Sequence, residues 1–158
     1  TSDEIEDNEP LCERFLNELE TRRSFNVKGK KCLVLQCGEI NIIKNLQKEE
    51  NRPIFRLQQR KDLEERFGKI INNSDIIINP IHTPMGNQGK MKKRRDFFSN
   101  DGRYYFSVSQ NGTRKRGETE CDIPIGGDSL QYSYYNGSQI KESSRDITQD
   151  YQKRVFKI

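Results

Sequence analysis

The sequence predicts an α/β fold with a mixed sheet, and three observations carry that prediction. Two apolar runs, Cys32-Leu33-Val34-Leu35 and Ile76-Ile77-Ile78, are continuous instead of alternating, as in strands covered on both faces. Leu11, Phe15, Leu16 and Leu19 recur at helical spacing, and so do Leu63, Phe67 and Ile70. With the later segments these give the order strand, helix, strand, helix, strand.

The elements follow in turn. Residues 1–9 are acidic and expected to fray, and residues 10–158 form a single α/β domain, a length sufficient for one core. Pro10 suits a helix start, so PLCERFLNELETRR reads as a helix. SFNVKGKKCLVLQC reads as strand, Lys-Gly-Lys turn and strand, a hairpin pattern. GEINIIKNLQKEE is expected to open a helix, followed by a polar connection through Arg52-Pro53 and a second helix over KDLEERFGKII. Asn72-Asn73-Ser74 is a loop before DIIINP, a buried strand stopped by Pro80. After the loop IHTPMGNQG, KMKKRRDFFS reads as a short amphipathic or basic helix, with Phe97-Phe98 in the core, ending near the turn Asn100-Asp101-Gly102. RYYFSVSQN is the third strand. Beyond Gly112 the pattern weakens into polar, Gly-rich antiparallel material with short strands around 129–135 and 151–158.

Composition narrows the function classes. The hydrophobic fraction is 31% and the mean hydropathy −1.01, so the core is lean and the surface heavily solvated. No apolar run approaches the about 20 residues that span a bilayer, and no leader pattern of basic end plus apolar block is present. The expectation is a cytoplasmic protein with no membrane partner. Four cysteines lack CxxC or His-paired spacing and there is one histidine, so reduced thiols are expected, with no metal and no cofactor. The net charge is +4, and two basic clusters stand out, 90–95 and 113–116. Such runs track phosphates or form solvated faces. Lys90, Lys92, Lys93, Arg94 and Arg95 are therefore candidate anion or nucleic-acid contacts.

Two strand ends carry the residues suited to chemistry: Cys37-Gly38-Glu39, and Asn79-Pro80-Ile81-His82-Thr83-Pro84. A strand-end thiol acts as a nucleophile when something stabilises its thiolate or removes its proton. A helix starting just after Cys37 would aim free N–H groups, that of Gly38 included, at a thiolate or a tetrahedral oxyanion. Gly38 would also let a substrate approach the backbone. The alternative is a small apolar cysteine at the edge of the core. His82, the sole histidine, either pairs with Cys37 across neighbouring strands or is a loop residue bonded to backbone. Both readings stand at this point.

Read in order, SFNVKGKKCLVLQCGE, DIIINPIHTP, KMKKRRDFF and RYYFSVSQNG resemble the C-terminal half of the nitrilase, or carbon–nitrogen hydrolase, superfamily. The resemblance runs roughly from Ser24 to Gly127, with GETECDIPIGG a loose match to the family's Pro-x-Gly segment. It implies an α-β-β-α sandwich of which this chain supplies the second half. It also implies that Cys37 and Glu39 occupy the catalytic motif, Cys37 forming a thioester with an amide or nitrile carbon and Glu39 orienting the local structure. By the same resemblance the Gly38 N–H contributes to the oxyanion site, and Asn79 and His82 line the pocket. The implied partners are a small amide or nitrile substrate and either a second copy in a homo-oligomer or a complementing N-terminal half.

The chain also departs from that family. The catalytic Glu and Lys of the family lie upstream, yet only 36 residues precede Cys37. Glu4, Glu6, Glu13 and Glu18 fall in the tail or first helix, and Lys28, Lys30 and Lys31 in the hairpin. Glycine replaces the usual aromatic after the nucleophile, and no Arg-Phe-Pro-like run follows. Two alternatives remain: a nucleic-acid-binding or nuclease domain using the basic clusters, and a non-catalytic interaction domain. A metal nuclease needs convergent carboxylates, and Glu39 follows one strand while Asp75 begins another.

Overall fold

A computed structural model describes residues 8–81, 88–109, 112–116, 119–125, 132–147 and 152–156. Helix α1 (Glu9–Thr21) is capped by the Asn8 side chain, whose Oδ1 accepts from Leu11 N–H at 2.9 Å, with Pro10 in the first turn. Its buried residues Cys12, Phe15, Leu16 and Leu19 form one stripe at i, i+3, i+4 and i+7. Strands β1 (Ser24–Val27) and β2 (Lys30–Val34) make the expected hairpin. Its two loop residues, Lys28 and Gly29, both have positive φ, +48° and +78°, as a two-residue hairpin loop with matching twist requires.

The segment after Cys37 departs from expectation. GEINIIKNLQKEE does not form a helix: Glu39–Ile42 is a single 3₁₀ turn, and β3 (Ile43–Leu46) pairs antiparallel with β4 (Arg52–Phe55). The β-branched Ile40, Ile42 and Ile43 favour extended backbone, and Asn41 and Asn45 are weak helix formers that here bond elsewhere. Pro53, read as connection, sits inside β4, which pairs on one side only, so its missing N–H costs no ladder bond.

Helix α2 (Lys61–Asn72) buries Leu63, Phe67, Ile70 and Ile71. Strand β5 (Ile76–Ile81) runs through Pro80, expected to stop it, because beyond Ile78 it pairs with one neighbouring strand only. Helix α3 (Gln88–Ser99) and strand β6 (Tyr104–Ser109) follow as read from the sequence. The remainder is antiparallel, as expected: β7 (Gly112–Arg116) with β8 (Thr119–Ile125), β9 (Ser133–Tyr135) with β10 (Ser138–Gln139), and β11 (Ser144–Ile147) with β12 (Gln152–Val155).

The fold is mixed α/β. Its main sheet has the order β1-β2-β5-β6-β9-β10, with β2, β5 and β6 parallel and antiparallel strands on either flank. Asp75 sets the register at the amino end: its Oδ2 accepts from Lys31 N–H at 2.8 Å, and its own N–H donates to the Lys31 carbonyl at 2.9 Å. No helix among the described residues is long and apolar enough to cross a membrane.

Register makes the two faces of this sheet unlike. Leu33, Ile77, Tyr105 and Tyr134 are successive cross-strand partners, all fully or nearly fully buried in one cluster with the apolar residues of α1 and α2. An aromatic chain extends that cluster: Phe55 meets Phe67 at 5.6 Å, Phe67 meets Phe98 at 6.3 Å, and Phe98 stacks on Tyr105 at 6.3 Å. On the opposite face Ile76, Ile78, Tyr104 and Phe106 are only half-buried, and Val108 and Tyr135 are exposed. Phe25 and Val27 lie on that same face by register, also exposed. Ile77→Ala is therefore expected to cost about 2–5 kcal/mol, whereas Val108→Ala stays within about 0.5 kcal/mol. Denaturant unfolding of the two variants checks this, and equal losses would contradict the one-sided core.

Candidate active site at a strand-end cysteine

Past the end of β2 the chain runs Leu35-Gln36-Cys37-Gly38-Glu39. The Glu39 N–H donates to the Gln36 carbonyl at 3.0 Å, closing a four-residue turn with Cys37 and Gly38 at its centre. Gly38 has φ +87°, the left-handed conformation that the third position of a type II turn demands. Glycine in place of an aromatic thus has a local cause: a side chain there would be strained. Since only a 3₁₀ turn follows, the N-terminal helix field expected at Cys37 is absent, and any stabilisation of the thiolate must come from side chains and the turn itself.

Glu39 holds this turn. Its carboxylate accepts from Gln36 N–H at 2.7 Å and from Arg23 Nη1 at 2.5 Å, both side chains of the ion pair being mostly buried. The carboxylate is thereby committed to structure. Arg23 was not legible as its partner, because an arginine ending a helix carries no mark of a contact sixteen residues on.

Asn79 is corrected from pocket-lining to supporting. Its side chain is fully buried, and its amide is consumed by neighbours. Nδ2 donates to the carbonyls of Leu35 at 2.6 Å and Gln36 at 3.2 Å, while Oδ1 accepts from the Tyr105 hydroxyl at 2.8 Å. The amide therefore extends the β2–β5 pairing past its last ladder bond and delivers Cys37 at the carboxyl ends of the parallel strands. Ser107, the register partner of Asn79, accepts at Oγ from Tyr132 N–H at 2.8 Å and donates its own N–H to the Tyr132 carbonyl at 2.9 Å. Burial pushes the Tyr105 phenol well above its ordinary range, with Arg95 opposing and Tyr134 and Cys37 adding to the shift. Tyr105 is thus neutral at physiological pH and in electrostatic reach of both Arg95 and Cys37. Tyr105 as a hydrogen-bonding residue escaped the sequence reading, which placed it only on the third strand. The signal was the period of two, which turns the middle residue toward the helices.

The basic helix is also corrected. Arg94 is 9% exposed and Arg95 4%, so neither belongs to a solvated face. Arg94 Nε donates to Asn45 Oδ1 at 2.8 Å and its Nη1 to Asn41 Oδ1, tying α3 to the segment after Cys37. Burial, with the neighbouring Arg56 charge, lowers the Arg94 pKa to about 10. The Arg95 guanidinium carbon lies 3.9 Å from the Tyr132 ring centroid and 5.7 Å from that of Tyr134. Lys90 is half-buried, Lys92 pairs with Asp96 at 3.0 Å, and Lys93 is exposed. Of the five cations proposed as anion contacts, Lys92 and Lys93 alone are exposed. The side chains of 113–116 and His82 lie outside the described residues, so the Cys37–His82 pairing does too.

Glu39 and Asp75 lie at opposite ends of the strands and do not converge. Two depressions open among the described residues, of about 250 Å³ beside β1 and α2 and about 630 Å³ beside β9–β12, and neither is lined by Cys37. No family model matches the chain, and neither a curated protein nor a solved structure matches it.

The described thiols differ sharply. Cys12 and Cys32 are buried and Cys37 is half-buried. Burial is the main cause that raises the Cys12 thiol to about 11, and burial followed by the Asp75 charge raises Cys32. Iodoacetamide at pH 8 is expected to modify Cys37 in the native protein at least about tenfold faster than Cys12 or Cys32. Peptide-level mass spectrometry reads the order, and equal rates at the three would contradict it. Because the folded Cys12 pKa lies above the unfolded value, its buried neutral thiol contributes stability that is complete below about pH 9. That contribution is lost as pH rises toward about 11. Cys12→Ala should flatten the fall in melting temperature across this interval, and an unchanged slope would exclude the thiol as its cause.

Proposed function

We propose that this chain carries the nucleophile half of a carbon–nitrogen hydrolase-like site, in which the Cys37 thiolate attacks an amide or nitrile carbon. The observation that carries the reading is the placement of Cys37. It stands at the centre of a tight turn just past a parallel strand, with Gly38 at positive φ and the turn clamped by Asn79 from β5 and by Glu39 with Arg23. A thiol held this way is presented at a strand end, where sheets of this kind bind ligands, and the small neighbour leaves the backbone open to an incoming carbonyl.

On an amide, thiolate addition gives a tetrahedral oxyanion. Its collapse to a thioester expels the amine, which must receive a proton, and water then releases the acid. The general base and the lysine used by the resembling family have no counterpart among the described residues around Cys37. We assign them to a covering layer supplied by a complementing N-terminal half or by a second copy. The same layer gives the α-β-β-α sandwich its second sheet. Support for it comes from the second face of the main sheet: parallel strands are normally covered on both sides, yet there Val108 and Tyr135 are exposed and Ile76, Ile78 and Tyr104 only half-buried, with Phe156 meeting Phe106 at 6.0 Å.

The complete gene product is the material for the test. Ammonia release from a panel of small amides and nitriles should vanish in Cys37→Ala and in Cys37→Ser, while Cys12→Ser and Cys32→Ala retain at least about half of it. Turnover that survives Cys37→Ala would overturn the assignment.

A further inference from the structure

Among the described residues Arg95 is a buried cation with no ion pair. The residue is 4% exposed and its Nε has no hydrogen-bond acceptor; Asp96, beside it in sequence, gives Oδ2 to Lys92 Nζ at 3.0 Å and keeps Oδ1 buried without a partner. The tyrosine rings beneath it stabilise the charge but leave its Nε–H without an acceptor. A buried guanidinium in this condition is costly, and a carboxylate bound edge-on by its two parallel N–H donors offsets that cost directly.

Its place in the sheet makes this relevant to Cys37. Tyr132, under Arg95, bonds Ser107; Ser107 is the register partner of Asn79; and Asn79 bonds Leu35 and Gln36, which lead into Cys37. Cys37, after β2, and Arg95, over the start of β9, thus lie at the same end of the sheet on either side of β6 and its Tyr105 in strand order. β2 and β9 lie three strand spacings apart, roughly 14 Å at the backbone. We propose that Arg95 is the anion-recognising residue of the Cys37 site, and that its substrate is an amide or nitrile carrying a carboxylate several bonds from the reacting carbon. The inference rests on Cys37 as the nucleophile and adds the chemical class it acts on.

Two anionic maleimides of different reach, 3-maleimidopropionate and 6-maleimidohexanoate, test this against neutral N-ethylmaleimide. The readout is the ratio of acid to neutral rate constants at Cys37, divided by the same ratio for the urea-unfolded chain. For at least one acid the native protein should show a preference of about tenfold, which corresponds to about 1.4 kcal/mol. Arg95→Met should abolish the preference, Arg95→Lys should keep part of it, and Lys93→Met, exposed on the same helix, should keep all of it. A normalised ratio near one for both acids overturns the proposal, and that wild-type value decides the matter even if Arg95→Met does not fold. A preference lost equally in Lys93→Met also overturns it, since surface charge would then be the cause. If N-ethylmaleimide itself fails to modify Cys37 in the native protein, the nucleophile assignment falls first.

Discussion

One buried amide holds the carboxyl ends of three strands together. Asn79, on β5, donates to two carbonyls of the chain leaving β2 and accepts from a hydroxyl on β6. Each such bond contributes about 1 kcal/mol net, but the group as a whole matters more, because any one partner left unmet in that interior costs its full desolvation. Burial extends along the chain to Leu35, and Gln36 after it is exposed. The turn that carries the thiol is therefore built on a rigid floor, and its remaining freedom is removed by Glu39 bonding back to Gln36 N–H and across to Arg23.

The unequal faces of the sheet follow from the same register. One row, Leu33-Ile77-Tyr105-Tyr134, is sealed by α1, α2 and the aromatic chain through Phe67 and Phe98. The neighbouring row, Cys32-Ile76-Tyr104-Tyr135, opens progressively toward β9. A run such as Ile76-Ile77-Ile78 has no polar residue to spare for solvent, so the exposure of its alternate members marks a surface shaped for burial. Polar strands at the edge of such a face would have carried alternating polarity instead.

Helix α3 reverses the usual logic of a basic segment. Its charge density is high, yet the two arginines turn inward, where planar guanidinium groups can be met by amides and aromatic rings. Lys92 and Lys93, with compact and strongly hydrated ammonium groups, take the outer positions. A sequence run of like charge therefore divides by side-chain chemistry, and only the inward half bears on the site.

Much of this was determined by the sequence alone. The helical stripes of α1 and α2, the Lys28-Gly29 hairpin turn, the continuous strand runs and the strand-end position of Cys37 are all set by local spacing and by the φ preferences of single residues. Tertiary structure decided the rest. Whether the chain after Cys37 would coil or extend depended on Asn41 and Asn45 finding Arg94 on a helix some fifty residues away. Whether Glu39 was free depended on Arg23, and whether Asn79 would face a substrate or the core depended on Tyr105. Charged and amide side chains have several partners of similar strength available, and which one wins is settled by the fold that brings them together, through contacts that leave no periodic trace in the sequence.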